Sequence, residues 1–259
     1  MGKTIMPVVK KVIKNLLVKV HRKLLPKKTV LGRAACVGID VFKRKNKYKN
    51  NVVLVNQQKA RVDLLLSWMQ GEARPRADIV EKHLLRKDVF PLIVEQERLP
   101  WFNAAEKIEY LLMDSFSELT DQKFVHKSGG WAFACHYSDI NHTPEFETEF
   151  ECRGLLDLAT LDQLYDRFFD WFEIRFPNSK VIFIHYSAKF DKREQFKDRA
   201  NCIRDVVNNI GTRRPYIANL HLNDDFFLAN DKDDFPYHYS QDTYKKFVEL
   251  WRKREIILC

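Results

Sequence analysis

Hydrophobic and polar positions along the chain follow two periods that alternate. Short apolar runs of strand length occur at residues 29–36, 51–56, 108–114, 180–187 and 216–222. Between these runs, apolar side chains in segments 59–70, 160–176 and 193–209 recur three and four positions apart, as on one face of a helix. Strands that alternate with helices predict a mainly parallel sheet of about five strands in a three-layer α/β/α fold, such as the flavodoxin-like fold.

Residues 116–151 form the least regular stretch, with no sustained period of either kind. We expect an excursion from the main fold that contains a short hairpin. His136, Asp139 and His142 are spaced three apart within it, which on a helix would bring them to one metal ion. Because the segment lacks the apolar spacing of a helix, we expect no metal site there.

The first 28 residues carry the whole excess of positive charge. They contain nine lysines and arginines and no acidic residue, so the 35 basic residues that remain of 44 balance the 35 acidic ones. Apolar side chains in this segment recur every three or four positions, which predicts an amphipathic helix able to lie on an anionic membrane surface. The alternative is a helix packed on its own domain or on a second copy. We therefore divide the chain into this helix, residues 1–28, and an α/β domain, residues 29–259.

Composition narrows the compartment and the partners. The five cysteines include no CxxC pair, which argues against a disulfide framework or a zinc ribbon and favours a reducing cytoplasm. No uninterrupted apolar run of membrane-spanning length is present, so we expect a cytoplasmic protein, peripheral at the inner face of the membrane. Neither GxGxxG nor a P-loop occurs, and the neutral body predicts no nucleic-acid partner. The oligomeric state is open.

A candidate general base lies near the C-terminus. Asp233 and Asp234 precede His238 by five and four residues, in an acidic loop just before an amphipathic helix. A histidine that a nearby carboxylate orients can take a proton from a nucleophile. The alternative interpretation is an ordinary acidic turn that contains a proline.

Residues that follow the predicted strands are the other site candidates, because ligands of open α/β sheets bind beyond the carboxyl ends of the strands. Ala35 and Cys36 end the first strand, Asp114 ends a central strand, and Ser187 ends the strand after it. Arg61 opens the helical stretch that follows the second strand. We expect Asp114, Ser187 and Arg61 to contact a substrate.

Several stretches together resemble the SGNH-type, or GDSL-like, hydrolases of bacteria. They are AACVGIDVF after the first strand, ARVDLLLSW after the second, the strand that ends in Asp114, the strand KVIFIHYS, and DDFPYHYSQDTYKKF near the C-terminus. More narrowly, the chain is similar to a branch found with surface-polysaccharide genes. The first block of that branch reads roughly Gly-Ser-Cys-x-x-x-Asp, and its last block reads Pro-Phe-His-Tyr. The resemblance covers residues 29–250 loosely, and its specific parts are these two short blocks.

The resemblance implies roles for the candidate residues. In the family, the serine of the first block is the nucleophile and the histidine of the last block is its base. His238 would be this base, and Asp234 or Asp233 would orient it, although the family usually spaces these residues DxxH. The serine position falls on Ala35, which leaves three explanations open: an engineered serine-to-alanine change, a non-catalytic relative, or Cys36 as a nucleophile activated by a helix N-terminus. Otherwise Cys36 is a small buried hydrophobic residue.

The resemblance also implies a function. It is an acyl ester hydrolase or O-acyltransferase that acts on a cell-surface polysaccharide or its precursors through a serine-type mechanism. No cofactor is expected, except acetyl-CoA as the donor if the protein is a transferase. Two other functions stay open: a non-catalytic glycan-binding or assembly protein held at the membrane, and a glycosyltransferase in which Asp224 and Asp225 contact a metal ion or a sugar.

Overall fold

The computed structural model describes residues 27–47, 51–103, 107–187, 189–222, 227 and 237–257. The strands are β1 (Lys28–Arg33), β2 (Val52–Asn56), β3 (Tyr110–Asp114), β4 (Asp121–His126), β5 (Ala132–His136), β6 (Phe150–Leu155), β7 (Lys180–Ile184) and β8 (Ile217–Leu220). Five of them form one parallel sheet in the order β2-β1-β3-β7-β8. Numbered within this sheet, the order is 2-1-3-4-5, as in flavodoxin-like folds. The predicted parallel sheet of about five strands is confirmed.

Helices cover both faces of this sheet. The α-helices of the described residues are α1 (Cys36–Lys45), α2 (Val62–Met69), α3 (Ala77–Glu81), α4 (Phe90–Arg98), α5 (Phe116–Thr120), α6 (Pro144–Glu149), α7 (Leu161–Arg175), α8 (Glu194–Arg213) and α9 (Gln241–Ile257). α1 packs with α9, whose Trp251 contacts Tyr110 of β3. α7 packs with α2 and α8, and its Tyr165 contacts Phe183 of β7. Tyr110 and Phe183 point to opposite faces in the strand register, so the fold has three layers.

The excursion between α5 and α7 is more ordered than its sequence predicts. Besides the expected short hairpin, which β4 and β5 form, a third strand, β6, pairs with β4, so the excursion is a three-stranded antiparallel sheet in the order β5-β4-β6. A second apolar core, which includes Phe124, Phe133, Phe146 and Phe150, packs against it. The central strand β4 buries only Asp121 and Phe124 among six residues, and its register is irregular between Gln122 and Phe124. The period-2 signal was therefore too weak to predict a strand.

The N-terminal segment 1–26, and with it the predicted amphipathic helix, lies outside the described residues. β1 begins at Lys28, which the sequence pattern had assigned to that helix. Among the described helices, none combines the length and the apolar character that crossing a bilayer requires.

A buried ion pair joins the end of β1 to α5. Arg33 and Glu118 are both almost inaccessible and form two hydrogen bonds, 2.5 Å from Nη1 to Oε1 and 2.8 Å from Nη2 to Oε2. The two Nη groups also donate to the carbonyl oxygens of Ala60 and Asp114 and to the hydroxyl of Tyr165. Buried charges are tolerated when they are paired and hydrogen-bonded in this way. The contacts fix the point at which the chain leaves the sheet toward α1.

We expect Arg33→Met to lower the free energy of unfolding by about 3–5 kcal/mol, because it leaves the Glu118 carboxylate buried without its partner. Urea denaturation measures this loss. Arg33→Met combined with Glu118→Leu is the control, since removal of both charges should recover most of the stability. A loss below about 1 kcal/mol in the single variant would contradict the assigned role, because surface pairs are worth that little.

Candidate functional site

The strand order runs outward in opposite directions from the neighbouring strands β1 and β3, so the topological switch point of the sheet lies between them. Ligands of such sheets bind beyond the carboxyl ends of the two strands at this point. The turn after β1 is held from both neighbouring strands. Asn56 of β2 accepts a hydrogen bond from the Ala34 N–H (3.2 Å) and donates one to the Ala34 carbonyl (2.9 Å). Gly32 allows this approach, since a Cβ there would lie 2.5 Å from Asn56 Oδ1. These contacts fix the turn at Ala34 and Ala35 beyond the carboxyl end of β1.

Asp114, the last residue of β3, contacts the same turn from the other neighbouring strand. Its Oδ2 accepts a hydrogen bond from the Ala35 N–H (2.7 Å), and its Oδ1 accepts one from the Phe116 N–H (3.2 Å). Gly38 of α1 makes room for this carboxylate, because a Cβ at that position would lie 2.9 Å from Oδ2. Burial disfavours the charged form and raises the pKa of Asp114 to about 7, although both N–H groups oppose the shift. Asp114 is therefore an ionisable group that titrates near neutrality at the predicted site.

The first turn of α1 supplies the residues at the predicted nucleophile position. Ala35 is buried, whereas Cys36 is exposed, which corrects the interpretation of Cys36 as a small buried residue. Partial burial of the thiol and the carboxylates of Asp114 and Asp40 raise the pKa of Cys36. A raised pKa lowers the fraction of reactive thiolate. The surroundings of Cys36 therefore do not activate it as a nucleophile.

The end of β7 meets the C-terminal loop at the same edge of the sheet. The hydroxyl of Tyr186 accepts a hydrogen bond from the Val37 N–H of α1 (3.3 Å). The ring of Tyr186 lies 5.4 Å from that of Tyr237. Ser187 donates its backbone N–H to the hydroxyl of Tyr239 (3.0 Å). These contacts bring the segments that carry Ala35, Ser187 and His238 together, as expected from their positions after strands.

His238 itself is exposed, between the buried rings of Tyr237 and Tyr239. The Tyr237 hydroxyl donates a 2.5 Å hydrogen bond to Asp191 Oδ2, and Arg193 binds both oxygens of the same carboxylate. The loop is thus anchored on either side of the histidine. Its predicted partners Asp233 and Asp234 lie outside the described residues, so His238 as a base oriented by either of them stays a prediction.

Two predicted substrate ligands have contacts within the protein. Arg61 is buried, binds Asp63 through Nε and Nη2, and donates from Nη1 to the Gly154 carbonyl (2.7 Å). It therefore fastens the small sheet to α2. The hydroxyl of Ser187 accepts the Lys189 N–H (3.1 Å). Contact of Arg61 or Ser187 with a substrate stays a prediction, as does that of Asp114.

The described residues offer one group with metal-ligand spacing, and it is not the triplet of His136, Asp139 and His142, where we expected no metal site. Asp139 binds Lys59 (2.9 Å) and accepts the His136 N–H, so the triplet is held by contacts of another kind. The donor atoms of His83, Glu145 and Glu149 lie within 4.8 Å of one another. However, the ammonium of Lys82 lies 2.8 Å from Glu145 and 2.7 Å from Glu149, so a cation of the chain already occupies that position.

Sequence reasoning missed the residues that hold the site in place. Arg33, Asn56, Glu118 and Tyr186 fix the turn after β1 and the end of β7, and none was a candidate. A signal was present for Arg33, which is a charged residue inside an otherwise apolar run. In a parallel strand buried on both faces, such a residue requires a buried partner.

No protein-family model matches the chain, and no curated protein matches it. Among solved structures, an α/β hydrolase enzyme from the metagenome of Lake Arreo, Spain, is similar over 90% of this chain and 96% of its own, at 10% identity and a TM-score of 0.45. An acetyl xylan esterase from the rumen bacterium Butyrivibrio proteoclasticus is similar over 90% of this chain and 64% of its own, at 9% identity and a TM-score of 0.37. Similarity at this level carries no conclusion about the chemistry of this chain.

The raised pKa of Asp114 predicts a specific pH dependence of stability. Between about 3.8 and about 7 the folded protein holds a proton on this carboxyl that the unfolded chain has lost. The free energy of unfolding should therefore fall as the pH rises through this window, by about 2–4 kcal/mol from this group. Asp114→Asn removes the titration, and urea denaturation at pH 4, 5, 6, 7 and 8 measures it.

The quantity to compare is the difference in the free energy of unfolding between wild type and Asp114→Asn at each pH, because the contributions of the other titrating groups cancel in this difference. Asparagine can accept only one of the two N–H groups, which adds an offset that does not depend on pH. The advantage of the wild type should shrink from pH 4 to pH 7 and then stay constant. Parallel profiles would show that Asp114 is already ionised in the folded protein at pH 4.

Proposed function

We propose that the chain binds an acylated saccharide beyond the carboxyl ends of β1 and β3 and does so without serine chemistry. We call this part of the sheet edge, where Ala35, Cys36, Asp114 and Tyr186 lie beside the anchored segment of His238, the β1/β3 crevice. The observation that supports the proposal is the contact of the Ala35 N–H with the Asp114 carboxylate. At this position an acyl-transfer enzyme of the resembled family has a serine, and its backbone amide helps to stabilise an oxyanion.

Two requirements of acyl transfer are therefore not met: position 35 has no nucleophile, and its backbone N–H is bound by the Asp114 carboxylate. A methyl group cannot attack an ester, and a carboxylate beside the amide repels a developing oxyanion. Asp114 and His238 still provide hydrogen-bonding groups for the hydroxyls or carbonyl of a bound ester. This reading corresponds to a non-catalytic glycan-binding protein derived from an ester hydrolase or O-acyltransferase.

A second candidate function is acyl transfer through Cys36. The observation that favours it is the exposure of this thiol at the first residue of α1, beside the crevice. Its raised pKa counts against it, and any such activity should increase toward alkaline pH, where the thiolate forms. Hydrolase and O-acyltransferase would differ only in whether water or a sugar hydroxyl accepts the acyl group. For the glycosyltransferase hypothesis, Asp224 and Asp225 lie outside the described residues.

Introduction of a serine at position 35 tests whether the β1/β3 crevice has the other groups that an acyl-transfer site needs. We expect the wild type to leave 4-nitrophenyl acetate unhydrolysed at pH 8, and Ala35→Ser to hydrolyse it weakly. Adding Asp114→Asn should raise this rate roughly tenfold or more, because it removes the negative charge that repels the developing oxyanion. His238→Ala in the double variant should abolish the activity if His238 is the base.

Binding is measured separately, by calorimetric titration of the wild type with peracetylated glucose and with glucose as the unacylated control. Saturable binding of the acetylated sugar alone supports the proposal. Hydrolysis by the wild type that is lost in Cys36→Ala would replace it with the thiol enzyme. No binding by the wild type and no activity in Ala35→Ser with Asp114→Asn would overturn both.

The membrane partner is tested by deletion of residues 1–26, which leaves β1 intact. We expect the shortened protein to fold and to lose sedimentation with phosphatidylglycerol vesicles at low salt, because seven of the nine excess basic residues and the apolar stripe lie in the deleted segment. Phosphatidylcholine vesicles are the uncharged control. Equal sedimentation of both proteins would contradict membrane binding by this segment. A lowered melting temperature would instead support a helix packed on its own domain.

A further inference from the structure

A second concave surface lies between the first turns of α8 and the end of β6. Its volume is about 450 Å³, within the range of small-molecule sites. Leu155, Leu158 and Phe196 form apolar walls, and Asp198, Arg199 and Cys202 of α8 also line it. Ala35, Cys36, Asp114 and His238 are not among the residues that line this cavity. We call it the α8 cavity, a site separate from the β1/β3 crevice.

Arg199 is held in place by backbone groups. Its Nε and Nη2 donate to the carbonyl oxygen of Glu118 (2.9 and 2.6 Å), and Nη2 also donates to that of Leu156 (2.6 Å). Within the described part of the chain, Nη1 has no hydrogen-bond partner and no carboxylate forms an ion pair with this guanidinium. Partial burial and the nearby charge of Arg61 lower the pKa of Arg199, although the carboxylates of Glu118 and Asp157 oppose the shift. The side chain is therefore a cation held in place by backbone carbonyls, with one Nη group left for a ligand.

We propose that the α8 cavity binds a medium-chain carboxylate, with its hydrocarbon part against Leu155, Leu158 and Phe196 and its carboxylate on Arg199. A guanidinium with a free Nη group suits a carboxylate, which accepts a charge-assisted hydrogen bond from Nη1. The apolar walls gain from covering the hydrocarbon chain, which explains the need for an amphipathic ligand rather than a simple anion.

Two other ligand classes fit less well. A sugar would stack on an aromatic face, but the Arg193 guanidinium lies 3.8 Å from the ring centroid of Phe196, so one face of this ring is already covered. A phosphate dianion would meet the exposed carboxylate of Asp198 in the same cavity, which disfavours a second negative charge. A carboxylate monoanion carries half the charge of the dianion, so its repulsion by Asp198 is roughly half as large, and its apolar tail does not require an open ring face.

The full chain is titrated calorimetrically with octanoate, with octanol as the uncharged analogue of the same length, and with acetate as the anion without a tail. We expect octanoate to bind with a stoichiometry of one, and each control to bind roughly tenfold more weakly or worse. Cys202 reports the location, because it is an exposed thiol that lines the cavity. Octanoate should slow its alkylation by N-ethylmaleimide, mapped by mass spectrometry, while the exposed Cys152 reacts at an unchanged rate.

Two variants separate binding from folding. Arg199→Lys keeps the charge but loses the guanidinium geometry, and should weaken octanoate binding roughly tenfold. Cys202→Trp fills the cavity from an exposed position and should abolish binding without loss of stability, whereas Asn208→Trp, exposed on the same helix, should change neither. If Arg199→Lys fails to fold, Cys202→Trp still decides the question. Equal binding of octanol and octanoate, or unchanged binding in Cys202→Trp, would overturn the proposal. Either outcome is independent of the function proposed for the β1/β3 crevice.

Discussion

The buried pair of Arg33 and Glu118 is the interaction on which the site depends. Arg33 ends β1 immediately before the turn at Ala34 and Ala35, so the position of that turn follows from where the guanidinium is held. Glu118 Oε1 also accepts the N–H of Val62, which fixes the start of α2 against the same charges. Two fully desolvated charges contribute little net stability, but a mismatched arrangement would be costly. The pair therefore selects one geometry for the ends of β1 and β3.

That geometry limits the chemistry available at the edge of the sheet. The N-terminus of α1 carries partial positive charge and unpaired amides, which would otherwise attract an anion or an oxyanion. Here the Asp114 carboxylate accepts a hydrogen bond from the Ala35 N–H, and the Tyr186 hydroxyl accepts one from the Val37 N–H. A ligand at this helix end must compete with groups of the protein, and protonation of Asp114 weakens the stronger of the two competitors. The crevice is thus better suited to neutral, hydrogen-bonding ligands than to anions.

The sequence was sufficient to predict the strands of the main sheet and the long helices, because burial of a whole face leaves a regular apolar period. The small sheet was not predictable, since β4 buries Phe124 among mostly polar neighbours. Pairing of buried charges is a property of the folded chain: Arg33 and Glu118 are 85 residues apart. Asp114 was recognised from its place at the end of a strand, but its contact with Ala35 required the strand order. The α8 cavity could not be predicted from the sequence, because its lining residues come from β6, the segment after β6 and α8, which are separated along the chain.

One short helix connects these features. α5 begins at Phe116, whose N–H binds Asp114 and whose ring lies 5.8 Å from that of Tyr237 beside His238. Two residues later, Glu118 binds Arg33 through its side chain and Arg199 through its carbonyl. The crevice, the buried pair and the α8 cavity therefore share five residues of backbone. A substitution in α5 acts on all three at once, and only double-mutant cycles between the crevice and the cavity separate direct contacts from effects carried by this helix.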